Sequence, residues 1–367
     1  MEKTRQDEIS ADHNIQREAE GEVMFTEESV EEIWSRLGLF QSRDVLERRY
    51  KAHHGGELSA GKADEIIAHL QQARQYFLSA ESAGVLAGPL EQYYGVLAFA
   101  RAIVLYRQPR QREATLKRSH GLDAAMPNGG SPEDIQITVT QGTFHELLEA
   151  TRNSEMISID QPHPGRVTTS QRFIQILPPP GAGAQFSFLD LLSRIPGVKE
   201  HYEEAFAAAA HCHYGRAHIF QGSFSTMVWR GEVALPPVEQ LRQSLGIGPS
   251  AIATVGQNDS VDFRVQLKPG ENLADYFPNV VELENSAHVF LERFPGSWSL
   301  SRVASYFAAS HTMSMLVRYH PTRWAKLINH GPGDKLMPVL DRLRNLIQRD
   351  FVRIGLRELE RPDLEAL

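Results

Sequence analysis

The stretch 89-PLEQYYGVLAFARAIVLY-106 decides how this chain folds. Tyr93, Tyr94, Val96, Leu97, Phe99, Ile103, Val104, Leu105 and Tyr106 cover the whole circumference of a helix, which only the centre of a helical bundle can bury. Gly95 costs such a helix about 1 kcal/mol relative to alanine, so its presence predicts the close approach of a neighbour. Arg101 is the anomaly. An unpaired buried charge costs several kcal/mol, so this guanidinium needs a carboxylate, carbonyl groups or the surface. Two roles are open to it: a buried tie within the bundle, or a contact to a ligand anion. The expectation favours the tie.

Working outward, the flanking sequence reads as helical on both sides. Thr26 can cap a helix over 27–40, Ser42 one over 43–54, and Gly55-Gly56 stops the latter. In 59–82, Ile66, Leu70, Ala73 and Phe77 form one apolar stripe. Gly88-Pro89 opens the central helix, with proline at its first position. After about residue 125 the character changes. The turn chemistry of MPNGGSPED precedes strand-like runs at 135–140, 166–177, 216–230 and 261–267, interleaved with short helices at 143–153, 187–195 and 237–247. From about 281 helices resume, at 302–319, 321–330 and 335–355, with His320-Pro321 as a break. The expected fold class is α+β and predominantly helical. Its helical body is built from the N- and C-terminal segments, with an inserted mixed region containing antiparallel strands. The expected divisions are a mobile acidic leader (1–25), an N-terminal helical segment (26–125), a mixed middle (126–280) and a C-terminal helical segment (281–360) that packs on the first.

Bulk properties narrow the function classes. The 367 residues are 41% hydrophobic and 23% charged, ordinary for a globular chain. No apolar run reaches the roughly 18–20 residues of a membrane span, and the charged N-terminus does not read as a secretory signal. A cytoplasmic protein without membrane partners is expected. The lone Cys212 excludes an internal disulfide and a multi-cysteine metal site. The net charge of −8 is confined to residues 1–32, which carry 11 acidic and 3 basic side chains; the remainder holds 35 of each sign. Phosphate-loop, Rossmann and Gly-x-Ser-x-Gly signatures are missing. His211, Cys212, His213 and His218 match no zinc spacing, so neither metal nor cofactor is expected.

Four motifs in order, PLEQYYGVLAFARAIVL, 119-SHGL-122, 189-LDLLSRIP-196 and 315-MLVRYHPTRW-324, resemble the YaaC-like proteins from about Trp34 to about Leu356. The resemblance implies a bacterial source and fixes no activity. A second, looser resemblance concerns the Tyr-Tyr helix and the basic loop ending in His-Gly-Leu, which look like the central hairpin of HEPN-type domains. Many of those are metal-independent ribonucleases with an Arg-x(4–6)-His motif, usually acting across a dimer. In such chemistry the histidine moves a proton and the arginine steadies the phosphate. Arg48/His53, Arg48/His54, Arg49/His54, Arg194/His201 and Arg323/His330 all have that spacing, about as many as chance places in this composition. No arginine precedes His120 at the required distance, Arg112 being one residue too far.

Three functions follow as expectations: a binding or scaffold component of a bacterial multi-protein system, a HEPN-type endoribonuclease or toxin-like defence effector, and a nucleotide-binding sensor. Whether the chain is an enzyme stays open. The candidate catalytic residues are His120, Arg101, Arg318 and His320. The candidate ligand-binding residues are Tyr93, Tyr94, Arg101, Arg118, His120, Arg318, Tyr319, Arg323 and Trp324. A protein partner or homodimer is expected, and RNA could be held by the 110–118 basic loop or by the Arg342/Arg349/Arg353 face.

Overall fold

The computed structural model describes residues 28–127, 130–163, 166–176, 178–220, 223–228, 235–256, 260–266, 279–283, 287–329, 331 and 334–361. Helix α1 (Val30–Leu39) starts at Ser29, whose side chain forms a reciprocal capping box with Glu32; Thr26 lies outside the described residues. α2 (Arg43–His54) ends on Gly55 at φ +68°, as the Gly-Gly pair implies. α3 (Ala60–Ser82) is followed almost at once by α4 (Gly84–Arg107). The central helix therefore begins five residues before Pro89. Gly84, at φ +65°, reverses the chain directly after α3, a conformation open to glycine at little cost. Gly95 does admit a close neighbour, since a Cβ there would sit 2.9 Å from Cδ2 of Phe77 on α3.

His120, expected at the turn of a helical hairpin, instead begins strand β1 (His120–Ala125). With β2 (Gln136–Gly142) and β5 (Gln185–Ser187) it makes a small antiparallel sheet in the order β1-β2-β5. Gly121 and Gly142 permit this: a Cβ at Gly142 would run into the backbone of Gly121, so only glycines let the strand ends meet. β3 (Ser154–His163) and β4 (Arg166–Gln175) form a hairpin, of which only the second strand is legible by composition. The 216–230 run is likewise two strands, β6 (Cys212–Phe220) and β7 (Ser223–Val228), paired antiparallel. They belong to a larger sheet ordered β10-β11-β6-β7-β9-β8, with β3 joined to β6 in parallel. Here β8 is Ile252–Val255, β9 Val261–Gln266, β10 Val280–Glu282 and β11 His288–Leu291.

The last two strands occupy sequence expected to be helical already. The four residues of β11 are all buried, a run too short for a helix and suited to an interior strand. Short helices α5 (Thr143–Thr151), α6 (Phe188–Leu192) and α7 (Lys199–Phe206) link these layers, and α8 (Val238–Leu245) covers the large sheet. Leu241, Leu245, Ile157, Ile159, Phe263 and Val265 form its separate apolar core.

Helices resume at α9 (Arg302–Tyr319), then α10 (Pro321–Ile328), α11 (Met337–Leu346), a π-turn (Ile347–Phe351) and α12 (Val352–Glu360). α9 and α12 pack on α4, and the main core joins Tyr93, Phe99 and Ile103 to Phe307, Met313 and Phe351. The fold is α+β and predominantly helical.

The buried ionic tie foreseen for Arg101 is made elsewhere. Arg302, at the start of α9, pairs with buried Glu155 at 3.0 Å. Asn153 holds the same junction by donating to the carbonyls of Ile176 (2.9 Å) and Ser299 (3.0 Å) and accepting from the Ser301 N–H (2.8 Å).

Candidate functional site

Where α4, α9 and β1 meet, three rings cluster. The Tyr93 hydroxyl and His120 Nδ1 share a hydrogen bond of 2.7 Å. His311 lies edge-on to Tyr93, with centroids 5.3 Å apart, and tilted to His120 at 5.5 Å. The Arg318 guanidinium sits 5.9 Å from the centroid of the Tyr93 ring and 5.2 Å from that of Tyr319. His311 precedes Arg318 by seven residues, two helical turns, so α9 presents both to one side. On α4, Tyr94 and Arg101 are also seven apart. Tyr93 and His311 are buried, whereas Arg101, His120 and Arg318 are half-buried and Tyr319 is exposed.

The electrostatics of the cluster are one-sided. Burial, then the charges of Arg318 and Arg101, lowers the pKa of His120. Burial, then His120 and Arg318, pushes His311 down to about 3, and its Nδ1 has no hydrogen-bond partner. Burial raises the Tyr93 hydroxyl despite the two arginines, so it keeps its proton at neutral pH. Both histidines are therefore neutral there. Among the described residues neither Arg101 nor Arg318 forms an ion pair with a carboxylate. Arg318 reaches only Ser314 Oγ at 3.4 Å and Met315 Sδ at 3.3 Å, and Nε of each arginine is unpartnered.

The fully buried arginines Arg194 and Arg302 are treated differently. Arg194 donates to the carbonyls of Asp190 (2.9 Å), Glu292 (3.0 Å) and Arg293 (3.0 Å), and Arg302 has Glu155. The Arg101/Arg318 cluster thus combines two uncompensated cations, a neutral imidazole able to donate or accept, and aromatic faces. This is the chemistry that holds a phosphate or similar anion. The described residues contain no group of three or more His, Cys, Asp or Glu arranged to hold a metal.

Of the sequence candidates, Tyr93, His120 and Arg318 come together, Arg101 joins them through its field, and Tyr319 flanks Arg318. Tyr94 packs on Tyr93 and Tyr76, at 5.9 and 5.5 Å between centroids. Arg323 and Trp324 serve the α10 junction instead: Arg323 donates to the Gly130 carbonyl, and buried Trp324 donates to the Leu86 carbonyl at 3.1 Å. His320 is the half-buried residue between α9 and α10, and Arg118 is exposed. His311 escaped the sequence reading because its partner, His120, is 191 positions away; its seven-residue spacing to Arg318 was the available signal.

The Arg-x(4–6)-His pairs do not assemble a second site. His53 Nε2 contacts Arg107 at 2.7 Å, His54 Nε2 contacts the Tyr106 carbonyl at 2.8 Å, and Arg194 is bound to carbonyls. His330 lies outside the described residues. In the basic loop Arg112 is held by Glu65 at 2.6 Å. On the C-terminal face Arg342 donates to the Gly197 carbonyl at 3.0 Å and Arg349 pairs with Asp350 at 3.2 Å.

No described helix is long and apolar enough to cross a membrane. Among known proteins, the model of one family, described as YaaC-like Protein, matches residues 38–359. No curated protein and no solved structure matches the chain.

Proposed function

The chain belongs to the YaaC-like family, and from that premise we propose that the Arg101–His120–Arg318 cluster binds a phosphorylated small molecule of the nucleotide class, making the protein a ligand-sensing component. The observation that carries this reading is the pair of half-buried arginines with no carboxylate beside a neutral His–Tyr pair. The fully buried Arg194 and Arg302 are given carbonyls or an acid. A bound phosphate would supply the missing counter-charge, His120 a further hydrogen bond, and Tyr94 or Tyr319 a face for a base.

A nuclease reading has less support. Phosphodiester cleavage by acid–base catalysis needs two accessible proton-transfer groups, and here His311 and Tyr93 are buried, leaving His120. The scaffold reading is compatible with ligand binding, because a sensor passes its state to a partner, but no surface among the described residues favours one partner class.

The test is a thermal-shift and calorimetric titration with AMP, ATP and inorganic phosphate. A rise in melting temperature that Arg101→Gln and Arg318→Gln remove, with the unliganded melting temperature little changed, is the expected result. No stabilisation by any of the three, or one that survives both substitutions, overturns it. Cleavage of single-stranded RNA that His120→Ala abolishes would replace it with the nuclease reading.

A further inference from the structure

The connection between α4 and β1 sets a second polar group beside Arg101. On α3, His69 and Tyr76 are seven residues apart, two helical turns, as Tyr94 and Arg101 are on α4. The two helices run antiparallel through the reversal at Gly84. Tyr76 therefore meets Tyr94 at 5.5 Å, and His69 comes level with Arg101, whose charge acts on it. His69 is 6% exposed, and neither of its ring nitrogens makes a hydrogen bond. Gln72 approaches the ring from one turn along α3 but without hydrogen-bond geometry, and the Glu113 carboxylate stands 3.7 Å from Nε2. Burial, opposed by Glu113 and Glu65 and reinforced by Arg101, lowers the pKa of the ring. It is neutral at neutral pH and offers one donor and one acceptor. Glu113 is held in position by its neighbours. Arg112 grips Glu65, one turn before His69, through Nε at 3.0 Å and Nη2 at 2.6 Å, and the Glu113 N–H donates to the same carboxylate at 3.0 Å. The Glu113 carboxylate itself is exposed and makes no hydrogen bond among the described residues.

We propose that His69 and Glu113 form the sugar-binding end of the Arg101–His120–Arg318 site, so that its ligand is a ribonucleotide recognised through free vicinal hydroxyls; the inference rests on the nucleotide reading of that cluster. With the phosphate drawn to Arg101 and Arg318, the groups beside it on the ligand are hydroxyls, which both donate and accept. A carboxylate next to a neutral imidazole suits them. Glu113 accepts from one hydroxyl, and His69 shares a hydrogen bond with the other, which satisfies a buried ring that the fold leaves unbonded. A second phosphate does not suit this end, because the Glu113 carboxylate repels it. Glu65, engaged by Arg112 and by the Glu113 N–H, holds the loop and does not compete for the ligand.

The probes are AMP and its dideoxy analogue, which lacks both ribose hydroxyls, titrated calorimetrically into the full chain. The expected result is that AMP binds about tenfold more tightly, or better, than the dideoxy compound. Glu113→Ala is an exposed change that leaves the backbone bond to Glu65 in place. It should bring AMP down to the affinity of the dideoxy compound without weakening the dideoxy compound itself. His69→Phe should do the same from the buried side. Two results overturn the inference while the nucleotide reading stands: equal affinity of the wild type for the two compounds, or a preference for AMP that survives both Glu113→Ala and His69→Phe. Binding of neither compound to the wild type overturns both readings together.

Discussion

Tyr93 and His120, 27 positions apart, share a 2.7 Å hydrogen bond that ties the core helix α4 to the first residue of strand β1. The bond orients the one imidazole of the cluster that is not fully buried. Tyr93→Phe keeps the ring and its packing but leaves His120 Nδ1 unpaired. The expected cost is about 1–3 kcal/mol in chemical denaturation, together with weaker nucleotide affinity because His120 is no longer held in place. Unchanged affinity would show that His120 does not face the ligand.

Arg302 and Arg101 should respond in opposite ways. Arg302→Ala strands the buried Glu155 carboxylate and should cost about 3–5 kcal/mol of stability. Arg101→Gln breaks no ion pair, so urea unfolding should show a loss of no more than about 1 kcal/mol, or a gain. A large loss for Arg101→Gln would restore it as a structural tie.

The buried imidazole of His311 makes stability depend on pH. Its folded pKa of about 3 lies below its ordinary 6.5, lowered by burial and then by His120 and Arg318. Between those values the unfolded chain binds a proton that the folded one refuses, so stability falls as pH drops, by about 1.4 kcal/mol per unit. Going from pH 7.5 to 5 should therefore cost about 2 kcal/mol through this residue alone. His69, His120, His218 and His288 are also depressed, chiefly by burial, and add to the same trend. His311→Phe should flatten the profile by its own share; parallel profiles for variant and wild type would contradict this.

At Gly95, helix propensity and packing compete. Alanine would gain about 1 kcal/mol of propensity, but its Cβ would lie 2.9 Å from fully buried Phe77. Displacing that ring should cost about 1–3 kcal/mol, so Gly95→Ala is expected to destabilise on balance. Combining it with Phe77→Leu should cost less than the two single changes summed, measured as a double-mutant cycle.

How much of this was legible depends on the range over which each interaction acts. The all-round apolar helix at 89–106, the stop at Gly55 and the close contact at Gly95 follow from local propensity and periodicity, which neighbouring residues carry, whereas Ser42 begins its helix without a side-chain capping bond. So does membership in a largely helical α+β class. The split of 216–230 into a hairpin and the strands at 280–291 depend on pairing partners tens of residues away, and no local pattern encodes them. The candidate site divides the same way. Tyr93, Arg101, His120 and Arg318 could be named from sequence as unusual residues in apolar or junction settings. Only the tertiary packing decided that His311 joins them, through α9 on α4, that Trp324 and Arg323 of α10 serve a junction with Leu86 and Gly130, and that Glu155 of β3 is the acid given to Arg302. An arginine in an apolar helix announces a need for a counter-charge; whether the fold or a ligand meets it depends on which side chains lie within a few ångströms, and distance is a property of the tertiary structure.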